Sequence, residues 1–226
     1  MVPAPAASRR LLGNYDYPVS HRLLELLAFS AFLGFGGVFV SRVGGALADH
    51  HDGVTVAWSI AAAVGAFLLA DLMSGLVHFA CDKLGSPDTP VIGQKFIKPF
   101  RDHHDDPKAM TIGDFVAVNS DNLLMCLIVL VPAVVWLDVA RHVQVGAFLV
   151  SFVTFVAITN QVHKWAHMEH VPRIVTALQR AHIILPVDHH QVHHNDPYDD
   201  QFCITSGLLN PVMRRFDIWK RLQGQH

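Results

Sequence analysis

Sixteen histidines share this chain with three cysteines, and many of them are grouped. They fall at His103-His104, His163-Lys164-Trp165-Ala166-His167, His182 and His189-His190-Gln191-Val192-His193-His194, with His78 standing alone. Residues four apart on a helix share a face, so His163 and His167 can present two imidazoles to one point, and His190, His193 and His194 can do likewise. Neutral imidazole is the commonest side-chain ligand for transition metals. One catalytic zinc uses about three protein ligands. At least eight clustered candidates exceed that need, so the pattern points to two metals. Asp82, Asp188 and Asp196 are expected to orient histidines rather than to bind metal.

These residues need a scaffold, and the composition indicates its kind. The chain has 226 residues, 51% hydrophobic and 16% charged, with a mean hydropathy of +0.32, which is too apolar for an ordinary water-soluble domain. Four segments approach the roughly 20 apolar residues that cross a bilayer. They are Leu23 to Val40, Val54 to Phe79, Asn122 to Ala140 and Val145 to Val162. The expectation is an all-α integral membrane protein with four transmembrane helices and a cytoplasmic histidine-rich helical cap holding a di-metal site. Residues 1–20 read as a flexible arm with no cleaved signal peptide, and 21–226 as one domain.

Four spans put the N-terminus, the middle loop and the tail on one side. That side carries fifteen of the seventeen Lys and Arg residues, the other only Arg42 and Arg141. The positive-inside rule makes the richer side cytoplasmic, in a bacterial inner membrane or the endoplasmic reticulum. Every clustered histidine falls on that side too. His50 and His51, in a Gly-rich loop at 41–53, face away and read as solvated polar residues. Net charge −2 gives no reason to expect nucleic acid, and Cys81, Cys126 and Cys203 form no Cys-x-x-Cys pair. Trp165 reads as an interfacial anchor. Asp71 lies inside span two, on the face of His78 and Asp82. A buried carboxylate there requires a partner, and it is expected, with Asp82, to hold a ligand histidine through its other ring nitrogen.

Two irons held by imidazoles just outside the bilayer suit O₂ activation against the unactivated C–H bonds of a lipid chain. A metal transporter would carry ionisable ligands near the middle of its spans, where spans three and four have none. A b-type haem protein would have no use for His-x-x-His-His.

The order and spacing of four motifs go further. Asp71-x-x-x-Gly75-x-x-His78-x-x-x-Asp82 is followed by Pro99-Phe100-Arg101-x-His103-His104-x-x-Pro107. Next come Thr159-Asn160-Gln161-x-His163-Lys164-Trp165-x-His167 and His182-x-Ile184-Leu185-Pro186-x-x-His189-His190-x-x-His193-His194 with Phe202-Cys203-Ile204-Thr205. From about residue 65 to 222 the chain resembles the plasmanylethanolamine desaturase family, and is similar also to plant plastid desaturases acting on phosphatidylglycerol acyl chains.

The resemblance implies dehydrogenation of the C1′–C2′ bond of a 1-O-alkyl phospholipid to a vinyl ether. It implies two iron ions, O₂ and a membrane phospholipid as substrate. As ligands it implies His78, His103, His104, His163, His167, His190, His193 and His194, with His182 and His189 as further metal candidates. Reacting carbons close to the glycerol require metals just beyond the membrane surface, and Lys95, Lys98, Arg101 and Lys164 are candidate partners for the lipid phosphate. With a short N-terminal arm, little after Leu222 and no fused redox domain, electrons are expected from a separate cytochrome b5-like or ferredoxin-like protein. An acyl-lipid desaturase acting on an ester-linked chain, or a non-enzymatic metal-binding membrane protein, are the alternatives.

Overall fold

The computed structural model describes residues 18–50 and 52–224, save for the side chain of Lys95. Most of the expected N-terminal arm, and His51, therefore lie outside the described residues. Those described form α-helices and turns with no strand.

Four long helices dominate: α1 (Val19–Asp49), α2 (Gly53–Lys83), and, after α3 (Lys98–Asp105), α4 (Phe115–Trp136) and α5 (Val143–His167). All four are long and apolar enough to cross a membrane. Their outer faces stay uncovered, with Leu27, Trp58, Ile60, Ile128 and Val135 exposed, as lipid-facing helices require when no water satisfies stray polar groups. At 1.5 Å per residue the 31-residue α1 and α2 are about 46 Å long, against a hydrocarbon core of about 30 Å. Both therefore exceed the hydrocarbon core in length.

The expected loop at 41–53 is mostly helix. Gly44 and Gly45 sit within α1, and the connection shrinks to residues 50–52. Glycine is tolerated because a helix satisfies its backbone internally at membrane depth, whereas a loop there would not. Asp52 then caps α2 by accepting N–H bonds from Val54 and Thr55. The third span begins seven residues before Asn122, because Asp114 accepts the Ala117 N–H and starts α4 at Phe115. Asp114 also pairs with buried Arg22, which bonds Glu25 at 2.8 Å, so the first turns of α1 and α4 meet at one end of the bundle.

Helix α5 is central, packed against α2 on one flank and α4 on the other, with α1 lying against α4. At the end away from the histidines, Phe39, Val43, Leu130, Val139 and Val143 fill the interior. Farther along, Leu123, Cys126, Val153 and Ala157 do so. The helices α6 (Arg173–Arg180), α7 (Val187–His193), α8 (Asn210–Arg215) and α9 (Ile218–Leu222) form the cap. A π-helical turn at Gly93–Ile97 and a 3-10 turn at Ala109–Thr111 structure the long middle connection around α3.

The tail does not stay outside the bundle. Residues 201–207 are buried and run back along α2, so close at Gly75 that a Cβ there would stand 2.6 Å from the Cys203 sulfur. Irregular backbone at that depth needs every polar group satisfied. Asp71 provides this: its carboxylate accepts N–H bonds from Ser206 (2.7 Å), Gly207 (2.9 Å) and Leu209 (3.1 Å). Asn210 brackets Cys203, accepting from its N–H and donating to its carbonyl, both at 2.9 Å. Asp71 thus anchors the returning tail and does not hold a histidine, contrary to expectation.

Candidate metal centre

Four structural elements end at one place. His78 and Asp82 come from the last turns of α2, His103 and His104 from α3, His163 and His167 from the end of α5, and His190, His193 and His194 from α7 and the residue after it. Helical spacing of four puts each α5 and α2 pair on one face. The cap is fixed over them by apolar contacts: Leu185 and Ile204 with Val162 and Ala166 of α5, and Trp219 stacked on Phe79 of α2 with ring centroids 5.2 Å apart.

The side chains sort into two groups that can each hold a metal ion. His103, His163, His167, His190 and His194 form one, and His78, Asp82, His104 and His193 the other. In the first, the Nε2 atom of His190 lies 2.8 Å from that of His163, 2.7 Å from that of His167 and 3.1 Å from that of His194. His194 and His103 Nε2 are 3.0 Å apart. Ligands about 2.1 Å from one ion stand about 3.0 Å apart at right angles and about 3.4 Å apart at the tetrahedral angle. The observed spacings of 2.7–3.1 Å lie near and slightly below the right-angle value.

Hydrogen bonding cannot account for this convergence. A proton on one Nε2 serves one neighbour, and the remaining nitrogens then direct lone pairs at each other. In the second group the ring orientation is set from behind. Nδ1 of His78 lies 3.2 Å from the Phe202 carbonyl and Nδ1 of His193 lies 2.8 Å from that of Asp200. As donors to these carbonyls, both rings turn Nε2 inward as a free lone pair. Those two Nε2 atoms and Asp82 Oδ1 are buried with no hydrogen-bond partner. Buried orphans of this kind call for an explanation, and a cation between them supplies one. The donor set fits a metal pair.

Burial favours the neutral form of His103, His190 and His194, the form in which imidazole binds a metal. It pushes His103 and His190 well below the usual histidine range, with neighbouring imidazoles adding to the effect. His194 is pushed down to about 3, first by burial and then by His167, His193 and His104.

The eight clustered histidines expected from the sequence are all brought together. Asp82 joins them as a member of the second group, its Oδ2 standing 3.0–3.3 Å from the Nε2 atoms of His78, His104 and His193. The sequence suggests an orienting role for it, and its contact with His104 at 3.0 Å is one that an orienting carboxylate makes; the last turn of α2 also carries it into the group. The i, i+4 step from His78 was the signal. His182 and His189 fall in neither group and pack on each other, with ring centroids 5.0 Å apart. Asp188 and Asp196 also lie in neither group.

Three of the four basic residues expected at a lipid phosphate have other partners. Arg101 donates to the carbonyls of Cys81, Leu84 and Gly85 and so clamps the end of α2. Lys164 is buried and donates to the Gly113 carbonyl. Lys98 pairs with Asp102 at the surface, and the side chain of Lys95 lies outside the described residues.

Residues 67–224, which include all eight histidines and Asp82, match the lipid desaturase domain. The chain belongs to the lipid desaturase family. It is 40% identical over 199 residues to the plasmanylethanolamine desaturase of Myxococcus xanthus, covering 86% of this chain and 68% of that one. It is 40% identical over 173 residues to plasmanylethanolamine desaturase 1 of Mus musculus, covering 71% and 62%. Fatty acid desaturase 4, chloroplastic, of Arabidopsis thaliana is 33% identical over 160 residues, 70% of this chain and 48% of that one. The chain thus spans about half to two thirds of the length of these relatives. No solved structure matches it. An oxidoreductase, the enzyme class expected from the histidines, is the class of this family.

Proposed function

We propose that this chain is a plasmanylethanolamine desaturase, converting the C1′–C2′ bond of a 1-O-alkyl ether phospholipid to a vinyl ether. The observation that carries the reading is the 40% identity to the bacterial plasmanylethanolamine desaturase across 86% of the chain. In the overall reaction two electrons and two protons leave the alkyl chain. Two further electrons come from a donor and two protons from water, and O₂ leaves as two waters.

Two irons are the proposed metals, because imidazole-rich sites suit iron. When bound, they supply the redox chemistry that activates O₂ towards an unactivated C–H bond. His103, His163, His167, His190 and His194 would hold one ion, and His78, Asp82, His104 and His193 the other. The Phe202 and Asp200 carbonyls fix two of these rings from behind, and Phe100 and Phe202 pack on His78, excluding water from its ring. We place the site on the cytoplasmic face, from the bias of Lys and Arg. A cytochrome b5-like or ferredoxin-like protein would dock there as electron donor.

Expression in cells supplied with an alkylglycerol, followed by mass spectrometry for acid-labile vinyl ethers, tests the reading. Vinyl ethers should appear with the native chain and vanish with His163→Ala. Similarity to the plant fatty acid desaturase favours a second reading, an acyl-lipid desaturase. A new double bond in an ester-linked chain, with no vinyl ether, would select it.

A further inference from the structure

A cavity of about 350 Å³ opens between α3, the 3-10 turn and the facing ends of α4 and α5. That size lies at the lower end of the roughly 300–1,000 Å³ of small-ligand sites. Its walls are largely apolar, including Phe100, Met110, Ala117 and Val118, and its lining includes His103 and His163. Both histidines belong to the five-histidine group, whereas no member of the His78, Asp82, His104 and His193 group lines the cavity. The two groups are thus unequal: one meets an apolar slot and the other does not. Asn160 holds one wall, its amide donating to the Val118 carbonyl at 3.1 Å. Around the lining residues the chain exposes apolar side chains, with Ile112 86% exposed and Phe115 39%. In a membrane protein such residues face lipid at low cost and would be unfavourable against water.

We infer that this cavity admits a methylene segment of the lipid ether chain to the five-histidine group, and that Met110, Ala117 and Val118 gauge that chain. The inference rests on the desaturase reading. A methylene chain has no polar group to satisfy, so it gains by leaving bulk lipid only where walls fit it closely. Side chains that narrow the slot should therefore exclude it. The reacting carbons would then lie beside His103 and His163, two of the five residues that would hold one ion.

The test uses the whole protein in nanodiscs with a 1-O-alkyl phospholipid carrying a diazirine near the glycerol end of its ether chain. After irradiation, adducts are mapped by mass spectrometry, and bound metal is measured on the same samples. Adducts are expected on Met110, Ala117 or Val118. They should fall at least tenfold in Ala117→Trp and in Met110→Trp, with metal per chain unchanged. Gly37→Leu, in a separate cavity between α1, α4 and α5, should label as the native chain does. Adducts concentrated at Gly36 and Gly37, or native labelling and turnover in both tryptophan variants, would overturn the inference. Adducts in the slot without vinyl ether formation by the native protein would instead count against the desaturase reading alone. Loss of metal in one variant marks misfolding, and the other then decides.

Discussion

At Asp82, one carboxylate oxygen meets three imidazole nitrogens and the other is buried without a partner. Removing it leaves three imidazoles and no carboxylate to offset the charge of a cation. Asp82→Ala is therefore expected to take bound metal from about two ions per chain to about one, as read by elemental analysis of purified protein. His182→Ala and His189→Ala should leave the metal content unchanged, since neither residue is in a group. If either lost an ion, the assignment of ligands would be wrong. The imidazoles also set a pH dependence. His194 is held down to about 3, and His103 and His190 are held below the usual range, whereas in an unfolded chain each titrates near pH 6.5. Between those values the unfolded chain takes up protons that the folded site refuses. The stability is complete above about pH 6.5 and is lost as pH falls from there towards 3. Chelator-treated protein in detergent should melt at a lower temperature at pH 5 than at pH 8. Equal melting temperatures would contradict the burial of neutral imidazoles.

Between elements, the returning tail is the joint on which the site depends. Gly75→Ala would push a methyl group to within 2.6 Å of the Cys203 sulfur and 3.2 Å of its backbone. Overpacking of this kind costs roughly 1–3 kcal/mol. Because the Phe202 carbonyl beside it orients His78, thermal stability and metal content are expected to fall together. Asp71→Ala leaves three N–H groups without this acceptor, two of them buried at about 1–3 kcal/mol each, and should be the more damaging variant in the same melting assay. Native stability in Asp71→Ala would show that the tail is held elsewhere. The sequence made the helices that carry the site legible, because apolar runs of this length have few other uses. It misjudged their ends for local reasons. Gly44 and Gly45 read as a loop although lipid favours continued helix, and the polar stretch Asn119-Ser120-Asp121 concealed the start of α4. The histidines were legible by spacing, while the partners of Asp71 were not. Ser206, Gly207 and Leu209 are more than 130 residues away, and only folding brings them to α2.

Across the whole molecule, the up-and-down order of four helices puts the first turn of α1, the ends of α2 and α5 and the start of α4 at the histidine end, with His50 and Asp52 at the other. Single-cysteine reporters at exposed His50 and Lys220 should therefore react with a membrane-impermeant maleimide from opposite sides of the membrane, Lys220→Cys from the cytoplasm. Labelling of both from one side would refute the topology. The bond that the proposed desaturase attacks is the central claim. The most direct test gives purified protein, with iron, O₂ and a reducing system, a 1-O-alkyl phospholipid deuterated at both C1′ and C2′ and follows product mass. Loss of one deuterium from each of those carbons, with formation of an acid-labile vinyl ether, is the predicted result. Retention of all deuterium alongside a double bond formed elsewhere in the lipid would contradict it.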